Sequence, residues 1–441
     1  MRPCLPVVAA LVTACVAPHV QTPGAAPCWS RQLPVTGEVF TAFAARGELT
    51  IAGTFGPAID VGDGAIASAG EHDPIVARYR RDGALIWRSA FGGPSDESTG
   101  ALAVDARGDV VVTGSVPSGC FVTKLAGADG HVRWTKTVTV TGDHQCRAIA
   151  AGERDVFVAG SFDAEVDFGD RMVSRGKNDI WVAAFATADG TLHWTHQIGG
   201  AGNDIVRALA VDAHGDVFLG GQFSGEVPPA DGAIDLGAGP LHAAGYFDGL
   251  IAKLTASGTV VWARGFGDVG FDIVKSIAVD HDGSAVVSGA WMRPQDFRGA
   301  IPILTGVMDG LLARYNADGT LAWRRVFPGG GSQAHHVALG DDGRIWVSGH
   351  FNSRVDLGGR ALSSTEKSAA YIAAFSPDGA PVLAQLIGAP TAQFGYTIAS
   401  GPDGAVAVAF GFAGTTQFCG RSVISASPSA TLVGVMTPER R

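Results

Sequence analysis

The chain has 441 residues, 62 of them glycine, with 46% hydrophobic and 17% charged residues and a formal net charge of −10. This composition excludes a disordered chain and fits a turn-rich globular fold with a large core. Lysine and arginine form no run, so the sequence lacks the basic stripe that a phosphate backbone requires, and nucleic acid is not an expected partner.

The first residues read as an export signal. Arg2 gives a positive start, "LPVVAALVTA" is apolar, and Cys15 ends "VTAC", which resembles the lipobox of bacterial lipoproteins. Residues 1–15 are therefore expected to be a lipoprotein-type signal with Cys15 as the lipidated residue. The alternatives are a cleaved secretory signal with an incidental cysteine, or an uncleaved apolar start. No later stretch approaches the ~18–20 apolar residues of a spanning helix. Residues 16–27, "VAPHVQTPGAAP", read as a flexible tether, and residues 28–441 as one domain.

That domain is repetitive. A tryptophan ends an apolar run at Trp29, Trp87, Trp134, Trp194, Trp262 and Trp323, and Leu383 takes the same place in "PDGAPVLAQ". The spacings are 58, 47, 60, 68, 61 and 60 residues. Periods of this size mean a propeller or a solenoid, whose units cannot bury their own faces. Within each unit, alternation and turn residues predict four strands. Strand a is "ALAVD" at 101 and 208 and "SIAVD" at 276. Strand b ends in glycine, as in "VVVTG", "VFVAG", "VFLGG", "AVVSG" and "IWVSG". Strand c is typified by "IWVAAF" and "LLARY", and in most units an Asp-Gly or Ser-Gly turn leads into strand d and its tryptophan.

Strand b occurs seven times, which predicts seven blades. The last unit has strands a, b and c ("TLVGVM" at 431) but no d, whereas "PCWSRQLP" at 27–34 is a d strand with nothing before it. The expectation is an all-β, seven-bladed propeller of four-stranded antiparallel blades, closed by the N-terminal strand completing the C-terminal blade. Closure removes the exposed edge of an open stack. The repeated tryptophan is expected to pack between neighbouring blades rather than to stack on a sugar or base.

The segments "IGGAGNDIVRALAVDAHGDVFLGGQF" at 198–223 and "FDGLIAKLTASGTVVW" at 247–262 resemble the bacterial seven-bladed β-propeller repeat family of secreted and cell-surface proteins. The resemblance runs over residues 28–436, strongest in the middle four units. It implies a propeller outside the cytoplasm and no defined activity. The element "ADGTLHW" also looks like the tryptophan-docking segment of quinoprotein propellers. Those dehydrogenases need a ring of adjacent cysteines, and no two cysteines here are adjacent.

Strand alternation assigns loops to faces. The a–b and c–d turns share one face and are short; the d–a and b–c connections share the other and are long. Variable loops on a rigid scaffold tend to carry binding residues, so the long-loop face is the expected functional face. Asp60, Asp167, Asp235 and Asp356, in "VDFG"-like patterns or their relatives, mark small hairpin extensions there. Tyr246, Phe247, Phe271 and Trp291 fall on or near its rim, either as anchors for a partner or as covers for the tops of neighbouring blades. Asp96, Asp204 and Asp272 precede strand a, while Asp73, Asp179, Asp248 and Asp309 precede strand c. Their recurrence argues for carboxylates accepting backbone N–H bonds. The alternative is a cation near the axis, with calcium as the cofactor such oxygens would suit.

His335 and His336 are adjacent on a strand, where neighbouring side chains point oppositely, so a metal shared by both is disfavoured. The sequence contains no HExxH, GxSxG, phosphate loop or CxxC. An oxidising compartment permits disulfides. Cys28 and Cys419 both belong to the closing blade, and Cys120 and Cys146 to adjoining units; these are the candidate pairs, with connectivity open. The expected function is an exported, lipid-anchored binding or scaffolding module, monomeric, docking a protein or glycan at the cell envelope, on the outer membrane or cell surface. The alternative is an extracytoplasmic hydrolase or lyase acting on polysaccharide or peptide through carboxylates of the same face.

Overall fold

The computed structural model describes residues 28–44, 46–224, 233–268, 270–292, 308–365, 368–388, 397–412, 414–425 and 430–437. The signal, Cys15 and the tether lie outside the described residues. So do residues 225–232 and 293–307 of the two longest connections.

Seven four-stranded antiparallel sheets form a closed ring. In blade 4, for example, strand a is Ile205–Val211, b is Val217–Phe223, c is Asp248–Leu254 and d is Val260–Phe266. Blade 7 takes a, b and c from Thr397–Ser400, Val406–Phe412 and Ala430–Met436 and its d strand from Trp29–Leu33, paired from Trp29↔Val435 to Leu33↔Thr431. The N-terminal strand thus closes the ring. Cys28, just ahead of it, is bonded to Cys419 in the same blade, and Cys120 of blade 2 is bonded to Cys146 of blade 3.

Strands b and c are sandwiched between neighbouring blades. Leu49–Phe55, Gly119–Leu125, Val217–Phe223 and Ala369–Phe375 are buried at every residue. That is why apolar residues take consecutive places in Val217–Leu219 and throughout Ala369–Phe375 rather than alternating with polar ones.

One contact recurs from blade to blade. The tryptophan of strand d lies against the c–d turn of the next blade: Trp29 on Gly83, Trp87 on Gly130, Trp134 on Gly190, Trp194 on Gly258, Trp262 on Gly319 and Trp323 on Gly379. Five of the indoles, those of Trp87, Trp134, Trp194, Trp262 and Trp323, donate Nε1–H to a carbonyl of that turn, at 2.9–3.3 Å. The six glycines have φ between 72° and 86°, and a Cβ at any of them would come within 3.1 Å of the indole. Both facts require glycine. On the same face, a basic residue of strand c holds the a–b turn: Lys124 bonds Asp105 at 2.8 Å and Lys253 bonds Asp212 at 3.0 Å, both pairs largely buried.

On the long-loop face, five b–c connections carry a hairpin among the described residues, as in Glu165–Asp167 with Arg171–Val173 and Thr415–Phe418 with Arg421–Ile424. Asp60, Asp167 and Asp235 each accept the N–H of the glycine two residues on, and Asp356 that of Gly359. Each hairpin reaches back to the preceding blade: Ile234 packs with Ile198, and Thr416 donates its hydroxyl to the carbonyl of Ile387.

Candidate functional site: the axial channel and its loop face

The seven innermost strands enclose a cavity of about 1190 Å³ on the ring axis. Their sequence has a local irregularity that shapes it. Among the described residues, strand a carries a one-residue β-bulge at the same place in five blades, between Thr99 and Ala101, Cys146 and Ala148, Val206 and Ala208, Val274 and Ser276, and Ala334 and His336. A bulge leaves its extra residue outside the ladder and re-aims the side chain. The extra residues are Gly100, Arg147, Arg207, Lys275 and His335, and all of them line the cavity. Four adjoining blades, 3 to 6, therefore each present a basic side chain to the axis.

Two residues further along each of these strands lies an aliphatic side chain, and the ring is Leu102, Ile149, Leu209, Ile277, Val337 and Ile398, with Thr41 in the seventh place. The basic belt is nearer the long-loop face and the aliphatic ring lies inward of it. No aspartate or glutamate is among the described residues of the cavity wall.

Arg207 donates to the amide oxygen of Gln222 at 3.3 Å and Lys275 to that of Gln333, while Arg147 is exposed. His335 Nε2 lies 2.7 Å from His350 Nδ1. Burial, assisted by the Lys275 charge, pushes His350 down to about 4, and burial pushes His335 well below the usual imidazole range. Both rings are neutral at pH 7, so the permanent charge of the belt is Arg147, Arg207 and Lys275. His336 also lines the cavity, and the bulge is what brings two adjacent histidines to one wall.

The carboxylates of the long-loop face sit in pairs at the joints between blades. Asp179 accepts the N–H of Arg175 and a bond from Gln197, and its neighbour Asp204 accepts the N–H groups of Gly200 and Ser224. Asp248 accepts those of Ala244 and Gly245, and Asp272 those of Asp268 and Met292. Asp309 accepts Gly329 N–H, with Ser332 in the second acid's place. All five aspartates are buried. Burial raises Asp179 and Asp248, and pushes Asp204 and Asp272 up to about 7. Asp96 departs from the expected column. Glu97 takes the equivalent place and accepts Gly93 N–H, so the register is one residue later, while Asp96 is exposed beside His72 at 2.9 Å. With Glu71 these two form the one group among the described residues compact enough for a metal ion. The joint carboxylates are spread around the ring and bonded to backbone, so they do not assemble a calcium site on the axis.

The aromatics form two half-buried groups. Phe271, on the cavity wall, stacks with Tyr246 at 5.7 Å and packs on Phe247 at 5.3 Å. Trp291 stacks on Phe266 at 6.0 Å, with Arg324 over its ring at 4.3 Å.

Ring closure, blade count and axial channel define the protein as a seven-bladed β-propeller. No protein-family model matches the chain, and no curated protein matches it. Among solved structures, the Pan2 WD40 domain of Neurospora crassa is similar over 95% of this chain and 98% of that one, with a TM-score of 0.51 and 11% identity. The Dos1 propeller is similar over 94% and 95%, with a TM-score of 0.46 and 8% identity. The quinohemoprotein alcohol dehydrogenase of Comamonas testosteroni is similar over 93% of this chain and 77% of that one, with a TM-score of 0.46 and 12% identity. At such identities the likeness concerns the fold alone.

Proposed function

We propose that this propeller is an exported, lipid-anchored binding or scaffolding module that docks a protein or glycan of the cell envelope on its long-loop face. The observation that carries the reading is the half-exposed cluster of Tyr246, Phe247 and Phe271 at the joint of blades 4 and 5. Aromatic side chains with one face free supply large contact area at small entropic loss. The opposite face supports the choice, since its short turns are already engaged by tryptophans and ion pairs of the ring itself. Resemblance to bacterial secreted propeller repeats, and the apolar segment ending at Cys15, support export and anchoring. The hydrolase or lyase reading is not adopted, because, the exposed Asp96 apart, the aspartates that flank strands a and c on this face are buried and bonded to backbone N–H groups.

The test is cross-linked capture of tagged full-length protein from its native membranes, beside Tyr246→Ala. A stoichiometric partner recovered with the wild type and reduced about tenfold with the variant is expected, equivalent to about 1.4 kcal/mol. Equal recovery of every captured protein by both forms would remove the aromatic cluster from the interface.

A further inference from the structure

Among the described residues, three joints between blades share one backbone frame on the long-loop face. The N–H of the acid preceding strand a bonds the carbonyl of the residue just before the acid that opens strand c: Glu97 to His72 at 3.0 Å, Asp204 to Asn178 at 2.9 Å and Asp272 to Phe247 at 2.8 Å. Each time the frame brings two side chains together, and only their chemistry changes. Between blades 3 and 4 they are Asn178 and Asn203, amide to amide at 2.9 Å; between blades 4 and 5 they are Phe247 and Phe271, ring to ring at 5.3 Å. Between blades 1 and 2 they are His72 and Asp96, with Nδ1 2.9 Å from Oδ1. Glu71 joins them, and one ligand atom from each of the three residues lies within 4.8 Å of the others.

A second observation at this joint asks for positive charge. Asp179 and Asp248 each receive a donor on both carboxylate oxygens. Asp73, in the same place, receives the Ala69 N–H on Oδ2, while its Oδ1 is buried without a donor among the described residues. At 3% exposure the residue is shut off from water that could serve instead. That oxygen and Glu97 Oε2 both lie within 3.0 Å of the point where a Cβ on Gly92 would stand, so two buried carboxylates face each other. Asp73 follows His72 in the chain and Glu97 follows Asp96, so the undersupplied pair and the triad belong to one joint. Negative charge that backbone donors leave uncompensated favours a cation close by.

We propose that Glu71, His72 and Asp96 bind a zinc-type divalent metal ion at the joint of blades 1 and 2. The donor set chooses the metal: an imidazole beside two carboxylates suits zinc, whereas calcium takes oxygen ligands alone. Three protein ligands leave a fourth position to water. His72 leads into strand c of blade 1, Asp73–Tyr79, and Asp96 leads towards strand a of blade 2, Ser98–Val104, so the bound ion also ties two blades together. This inference is separate from docking at Tyr246, which lies at another joint, so the two readings fail independently.

The experiment is isothermal titration of the full chain, freed of metal with a chelator, with zinc chloride, and with calcium chloride for comparison. Saturable binding of one zinc ion per chain is expected, with calcium bound more weakly by about tenfold or more. His72→Ala and Asp96→Asn should each weaken zinc binding about tenfold, and Glu71→Gln is the third probe. Glu71 and Asp96 are exposed, so their variants should keep the metal-free urea midpoint of the wild type. Zinc should raise that midpoint in the wild type and not in His72→Ala, because an ion bound only by the folded chain stabilises it. His281→Ala removes an exposed histidine of the opposite face and should leave zinc binding unchanged, which controls for adventitious surface binding. Absence of saturation with zinc, calcium bound as tightly as zinc, affinity unchanged in all three variants, or an equal loss in His281→Ala overturns the proposal.

Discussion

At Gly258 two requirements meet in one residue. The turn needs a positive φ, 86° here, and the Trp194 ring needs the space a side chain would fill, since a Cβ would lie 3.0 Å from it. The tryptophan also donates to the Ala256 carbonyl at 2.9 Å. Truncating Trp194 removes the packing and leaves a cavity between two sheets, so Trp194→Ala should destabilise by about 3–5 kcal/mol in urea melts. An unchanged midpoint would show that the indole does not bind the blades together. The pair was legible in the sequence because both members repeat: the turn and the tryptophan recur at intervals near 60 residues. The belt was harder to read, because its column holds Gly100, Arg147, Arg207, Lys275 and His335 and so has no constant residue. Stacking the units on "ALAV", "AIAA", "SIAV" and "HVAL" puts that column immediately before the strand motif, which is the signal that could have revealed it.

The joints between blades are where elements are linked through polar groups. At the joints after blades 1, 3 and 4, an acid opening strand c meets an acid preceding the next strand a: Asp73 with Glu97, Asp179 with Asp204, Asp248 with Asp272. Between blades 2 and 3 those two places hold Gly119 and His144, and the Cys120–Cys146 bond lies one and two residues along. Repetition in the sequence pointed to loop carboxylates with backbone partners. Which acid takes the place, Glu97 or Asp96, depends on the loop path and could not be read from spacing.

The acid joints have a pH consequence. Asp204 is pushed up to about 7 by burial, opposed by the N–H groups of Gly200 and Ser224 and reinforced by the Asp179 charge. Asp272 reaches about 7 by burial as well, with Asp248 and Asp268 adding. In the unfolded chain a carboxyl titrates near 3.8, so the folded state holds the proton more firmly. The stability this contributes is fully present below pH ~4 and is lost as pH rises through ~7. The Asp204→Asn/Asp272→Asn variant should therefore show less decline of the urea midpoint between pH 4 and 7 than the wild type. Parallel profiles for the two would contradict the assignment.

At the scale of the ring, one joint departs from the tryptophan rule, and closure explains why. Leu383 of blade 6 faces blade 7, whose strand d comes from Trp29–Leu33 rather than through a c–d turn. Among the described residues, no c–d turn of blade 7 lies opposite Leu383 for an indole to meet. The blade that lacks this turn is the one that carries the Cys28–Cys419 bond. The cross-link ties residues 391 apart in sequence, so it restricts the unfolded chain as well as holding the closing strand. Cys28→Ser should lower stability by about 2–4 kcal/mol, read in urea without reductant. A variant as stable as the wild type would mean that backbone pairing alone keeps the ring shut.

The path of the chain into the ring also has a mechanical side. Tension applied through the residues before Cys28 would arrive along Trp29–Leu33, in line with its ladder to Ala430–Met436. Its five register pairs would then be loaded in shear, together rather than one after another. The Cys28–Cys419 bond stands ahead of that ladder and receives the load first, passing it to the loop beside Thr415–Phe418. A propeller held by its own closing strand can be pulled upon without being unzipped.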